Sequence, residues 1–174
     1  LLVDAGAGPP PETLPADWRE GAATWALALI ERYRARPWLV DLPIRGVPVT
    51  PNLLGWLESL LGPLSRTGLP PGDQLSCATL LDSYARSIAA LANDLAASDA
   101  VPVQSAEVFG FLLPRLAESG YPLIAAMLTE GVYADNPDGP DVEFGLTRIL
   151  DGIERLIDEQ SSGDTTTKPE NKKH

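Results

Sequence analysis

The chain has a single cysteine, Cys77, and a single histidine, His174, among 174 residues. One thiol excludes an internal disulfide framework and suits a reducing compartment, so the expected location is the cytoplasm. One histidine at the last position gives no support to histidine-based catalysis or metal binding. Aromatics make up 6% of the residues, and basic residues are scarce, 13 against 24 acidic ones for a net charge of −11. A surface of that sign does not grip phosphates by itself, so contact with nucleic acid is expected only through another, basic module. No apolar run approaches the roughly 20 residues of a membrane span, and the opening LLVDAGAGPPPE has neither a basic leader nor a cleavage site. The Gly-x-Ser-x-Gly, phosphate-loop and dinucleotide signatures are missing, and DNPDGPD lacks the spacing and distal glutamate of a calcium loop. No catalytic residue, metal ligand or cofactor is therefore assigned, and an enzyme is not expected.

What is present is helical periodicity. Residues 7–16 hold four prolines and break the chain. Asp17 then reads as an N-cap, and Trp18, Ala22, Trp25, Leu29 and Tyr33 predict a helix over 17–36, apolar enough to be packed on several sides. The stretch 41–50 is a connection punctuated by proline and glycine. Thr50 caps and Pro51 opens the next helix, which Gly68 ends.

A long helix is predicted over 72–97, with Cys77, Leu80, Leu81, Tyr84, Ile88, Leu91 and Leu95 on one arc. Its other side, with Ser76, Thr79, Ser83, Arg86, Ala90 and Asn93, is small rather than heavily charged, which suits close approach of another helix. Shorter helical segments cover 105–118, where Pro114 is a candidate kink, and 122–130. The last helix, 142–158, carries Val142, Leu146, Ile149, Leu150, Ile153, Leu156 and Ile157 on one arc, with Asp151 and Arg155 as an expected i,i+4 pair. Gly145 and Gly152, seven apart at its border, each cost a helix roughly 1 kcal/mol, which close packing would offset. Residues 161–174 contain no apolar side chain and are expected to be disordered. No strand alternation occurs, so the expected fold is all-α, a helical bundle of about six helices in one domain over 1–160. The opening LLVDA reads as the end of a helix already under way, which sets the expectation that the natural protein continues upstream.

The terminal VEFGLTRILDGIERLI resembles the last-helix signature of tetracycline-repressor-type (TetR family) C-terminal domains, through Phe144-Gly145-Leu146 and Ile149-Leu150-Asp151-Gly152-Ile153-Glu154. ARPWLVDLPI resembles the family's segment after the central helix, with Arg36 where a histidine is usual, and PNLLGWLESLL and LLDSYARSIAAL follow in the family's order. The resemblance covers residues 1–158 and implies a bacterial-type transcriptional repressor's regulatory domain that forms a homodimer through a four-helix interface. It implies a small hydrophobic or amphipathic effector held inside the bundle, and operator DNA contacted only by an N-terminal helix-turn-helix domain absent from this chain. Candidate effector-site residues are Trp25, Leu29 and Tyr33, Val47 and Val49, Trp56 and Leu60, Tyr84 and Ile88, Phe109 and Met127. Candidate dimer residues are Ala78, Asp82, Arg86 and Ala89 on the long helix and Gly145, Ile149, Gly152 and Leu156 on the last. For each effector-site residue the plainer role is an ordinary core position, for Asp82 and Arg86 it is an ordinary surface pair, and the alternative for the whole chain is a helical interaction module without a ligand.

Overall fold

A computed structural model describes residues 2–42, 50–97, 106–130 and 141–164. Among them are seven α-helices: α1 (Leu2–Ala7), α2 (Trp18–Ala35), α3 (Pro51–Leu64), α4 (Pro71–Ala97), α5 (Ala106–Glu118), α6 (Pro122–Thr129) and α7 (Val142–Asp164). There are also two 3-10 turns, at Pro37–Leu39 and Ser65–Thr67, and the described residues include no strand. The all-α expectation holds. Asp17 caps α2 as predicted, its carboxylate accepting from the backbone N–H groups of Arg19 and Glu20. Gly68, at φ 81°, takes the left-handed conformation that stops α3 after its 3-10 turn.

The contacts divide the chain into two units, residues 1–90 with 142–174, and residues 91–141. In the first unit α2 buries Ala22, Trp25, Ala26, Leu29, Ile30 and Tyr33 against Trp56, Leu60 and Leu64 of α3, Leu81 and Ala85 of α4, and Leu146, Leu150 and Ile153 of α7. Leu27 and Thr24 of α2 remain exposed, so the central helix keeps one solvent face. Each fully buried Leu or Ile contributes about 1.5–3 kcal/mol, which makes this cluster the main source of stability. In the second unit α5 and α6 pack on one another. Pro114 lies inside α5, which runs without interruption.

Three sequence expectations change. On α4 the buried row includes Ala78, Ala85 and Ala89 beside Cys77, Leu81 and Ile88, while Leu80, Leu91 and Leu95 are about half exposed. Ser76, Thr79 and Ser83 of the predicted small side are exposed, so α4 turns a row of alanines inward beside its apolar residues and leaves part of its leucine arc open. Asp151 pairs with Arg19 of α2 and with Arg148, and Arg155 pairs with Glu159 instead. Arg19 also reaches Glu154 at 3.1 Å, which ties the start of α2 to the flank of α7. Finally α7 continues to Asp164, past the predicted end at 158 and into the stretch assigned to the tail.

Candidate effector site and the seat of the first helix

Two tryptophans organise the centre of the first unit. Trp25 and Trp56 meet edge to face, with centroids 5.8 Å apart at 74°. The Trp25 indole N–H donates to the Trp56 carbonyl at 2.8 Å, so both polar edges of this buried pair are engaged. Trp56 then donates its own indole N–H to the carbonyls of Gly8, at 3.0 Å, and Ala7, at 3.3 Å. Those are the groups at the C-terminal end of α1, where Gly8 turns left-handed at φ 59° under the Arg32 guanidinium. A second link joins α1 to α3. Asp4 accepts the Asn52 backbone N–H at 2.7 Å, and the Asn52 side-chain amide donates to the Asp4 carbonyl at 2.9 Å.

Beside Trp56 a groove of about 350 Å³ opens between Pro9, Pro10, Pro11 and Glu12 on one side and Ala28 and Arg32 of α2 on the other. Prolines, alanine and indole supply apolar walls, while Glu12 and Arg32 supply one charge of each sign. That mixture suits an amphipathic molecule.

On the other side of α2 lies a polar cluster. The Tyr33 hydroxyl donates to Asp82 at 2.9 Å, and Arg86 donates to the Tyr33 oxygen at 3.3 Å. Arg86 also donates to the carbonyls of Leu39, Val40 and Leu42, closing the chain after the Pro37–Leu39 turn, and stacks 5.1 Å from the Tyr33 ring centre. Burial, helped by the Asp82 charge, pushes the Tyr33 phenol well above its ordinary range, so it stays a donor at neutral pH. Burial also raises the Cys77 thiol, which faces the core rather than solvent. Among the described residues no three His, Cys, Asp or Glu side chains come together as metal ligands.

The predicted effector residues Trp25, Leu29, Tyr33, Trp56, Leu60 and Ile88 do gather in one cluster, with Tyr84 packed against its edge. Val47 and Val49 lie outside the described residues, as does the side chain of Phe109. Met127, on α6 in the second unit, is 47% exposed. The dimer set splits. Ala78 and Ala89 are buried in the core, and Asp82 and Arg86 hydrogen-bond Tyr33 of the same chain. Ser76, Thr79 and Ser83 of the small face predicted for close helix approach are exposed. Gly145 is the seat of Tyr84, whose ring carbons lie 2.8 Å from where a Cβ would stand. Ile149 and Leu156 are partly buried against the core, and Gly152 faces open space. Asp4, Asn52, Arg32 and the three prolines were missed, because nothing local in the sequence links α1 to α3 across 48 residues.

Comparison with known proteins agrees with this architecture. The chain is 28% identical over 159 residues to the "HTH-type transcriptional repressor DrrR1" of Streptomyces coeruleorubidus, covering 84% of this chain and 57% of that protein. It therefore spans little more than half the length of the curated relative it matches. No solved structure matches it significantly. The profile described as "Tetracyclin repressor-like, C-terminal domain" matches residues 10–157, as the terminal VEFGLTRILDGIERLI foretold, and the chain belongs to that family.

Proposed function

We propose that this chain is the regulatory domain of a transcriptional repressor, in which an apolar or amphipathic effector seated against Trp56 controls the position of α1. The observation that carries this reading is the double duty of Trp56. One indole lines the groove and donates to the carbonyls that end α1. A ligand pressing on that ring competes directly with the seat of α1, and α1 is the element that would lead to an upstream DNA-binding head.

Dimerisation is the second part of the proposal. In the first unit Leu75 and Leu80 on α4 and Phe144 on α7 are about half or more exposed, and Gly152 offers a flat, unobstructed spot on α7. A twofold pairing through α4 and α7 would cover these side chains and fix the spacing of two heads on a palindromic operator.

The test uses the full-length repressor, operator DNA and a panel of planar amphipathic compounds. A true effector quenches tryptophan emission and releases the operator. The Trp56→Phe variant should still bind it but release DNA with at least roughly tenfold less sensitivity, since the ring remains while the link to α1 is cut. Equal release from both proteins would reject the Trp56 route. If no compound releases the operator while light scattering reports a dimer, the chain is a dimerisation module without a ligand. Gly152→Arg should shift the dimer toward monomer, and an unchanged mass would reject the proposed face.

A further inference from the structure

The start of α3 has an unusual arrangement of caps. Pro51 has no N–H, and the Leu54 N–H already bonds the Thr50 carbonyl at 2.9 Å, so the first turn has two donors left, those of Asn52 and Leu53. Thr50 occupies the N-cap position with the extended backbone such a residue needs, φ −107° and ψ 147°. Its hydroxyl nevertheless makes no cap bond. The oxygen is buried and has no partner among the described residues. The donor it would take, the Asn52 N–H, is occupied at 2.7 Å by the carboxylate of Asp4, which arrives from α1.

We infer that α3 has two alternative N-terminal caps, Asp4 from α1 and its own Thr50, and that exchange between them lets α1 lift away while α3 stays capped. The physical case rests on what each state leaves unpaired. With α1 seated, α3 has a charged acceptor at the positive end of its dipole, and the Thr50 hydroxyl is left buried without a bond. With α1 displaced, a rotation about one side-chain bond brings the Thr50 oxygen to the Asn52 or Leu53 N–H. The charged bond is lost, but a neutral one forms and a buried orphan disappears. The exchange makes the seat of α1 reversible, because its removal does not unravel the first turn of α3 beside Trp56. The use of this device rests on the reading above that α1 is the element that moves. The exchange itself does not.

The experiment is amide hydrogen exchange at Asn52 and Leu53, followed by NMR on the whole chain without effector or DNA. Four proteins are compared: the natural sequence, Asp4→Ala, Thr50→Val and the double variant. Thr50→Val alone should leave exchange unchanged within about twofold, since that hydroxyl is idle. Asp4→Ala should raise exchange only slightly, and the Thr50 side-chain coupling constants should report a new rotamer. The double variant should then exchange about fivefold or more faster than Asp4→Ala, the usual consequence of removing an N-cap. If Asp4→Ala already exchanges as fast as the double variant, Thr50 does not take over and the inference fails. Asp4→Ser, too short to reach α3 yet polar, replaces Asp4→Ala should that variant not fold. Neither effector nor operator enters these measurements. A failed cap exchange thus leaves the effector reading standing, and a failed operator release leaves the exchange standing.

Discussion

The link between the core and α1 can be separated from the core itself by comparing Trp56→Phe with Trp25→Phe. Both changes shrink a buried indole to a phenyl ring, which costs roughly 1 kcal/mol in lost packing. Both remove one indole hydrogen bond, worth about 1 kcal/mol net, with about 1–3 kcal/mol more for an acceptor left buried. Each variant should therefore lose roughly 3 kcal/mol in urea unfolding. The acceptors differ. Trp25 serves the Trp56 carbonyl within the core, whereas Trp56 serves Ala7 and Gly8 at the end of α1. Trp56→Phe should accordingly free α1 beyond its effect on the whole fold. The Gly8 N–H, which bonds the Asp4 carbonyl at 3.0 Å, is a suitable reporter of that freedom. Its exchange should rise in Trp56→Phe by about a further tenfold relative to Trp25→Phe, once the two are matched for global stability. Equal exchange in the two variants would refute the idea that Trp56 holds α1.

Two glycines of α7 make an opposed pair. Gly145→Ala drives a methyl into the Tyr84 ring and hydroxyl, threatening the 2.9 Å bond from that hydroxyl to the Val142 carbonyl, and should cost about 1–3 kcal/mol. Gly152→Ala meets nothing within 4 Å and should stabilise by about 0.5–1 kcal/mol, so thermal unfolding should move in opposite directions. Similar shifts for both would contradict the packing described. Tyr33 makes a pH prediction. Its phenol titrates higher folded than unfolded, so its contribution is complete below the unfolded tyrosine range near pH 10 and declines as pH rises above it. Stability measured across alkaline pH should fall less steeply in Tyr33→Phe, and parallel curves would show that the buried phenol is not responsible.

Helix positions were legible because their signals are local. Asp17 caps α2, Pro51 opens α3 and Gly68 ends its final turn, each a matter of a few neighbouring residues. Partner choice was not legible. Asp151 has Arg155 one turn away, but Arg19, 132 residues earlier in sequence, takes it, since packing α2 on α7 has already brought the two together. The same distinction explains α4. The side read as small, with Ser76, Thr79 and Ser83, is exposed while Ala78, Ala85 and Ala89 are buried beside Leu81, and only the topology reveals which row meets the core. Thr50 shows the sharpest form of the problem. Its residue type, backbone and following proline all describe a self-capped helix, and the Asp4 carboxylate, 48 residues upstream of the Asn52 N–H that it takes, overrides them. The candidate effector cluster could be guessed from large apolar residues at helical spacing. The proline-lined groove could not, because a run of prolines reads as a break rather than as a wall.

The way α1 is held bears on what it can do. Ala7 is its one buried hydrophobic side chain among the described residues, and Gly6 lies so close beneath Trp38 that a larger residue would have to displace that ring. Apolar burial therefore contributes little to its docking. Three donors do most of the work: the Asn52 backbone N–H, the Asn52 side-chain amide and the Trp56 indole. At about 1 kcal/mol for a neutral bond and somewhat more to the Asp4 carboxylate, the seat amounts to roughly 4 kcal/mol. A ligand must discriminate between two states by about 5.5 kcal/mol to drive an equilibrium from 1:99 to 99:1. Small molecules reach differential affinities of that order, so a seat of this strength lies within their control. The α2 helix offers a contrast, with seven buried residues holding it in the core. A segment fixed by that much apolar burial could not be displaced without unfolding the domain, whereas one fixed by directed bonds to a tryptophan and an asparagine can leave as a unit.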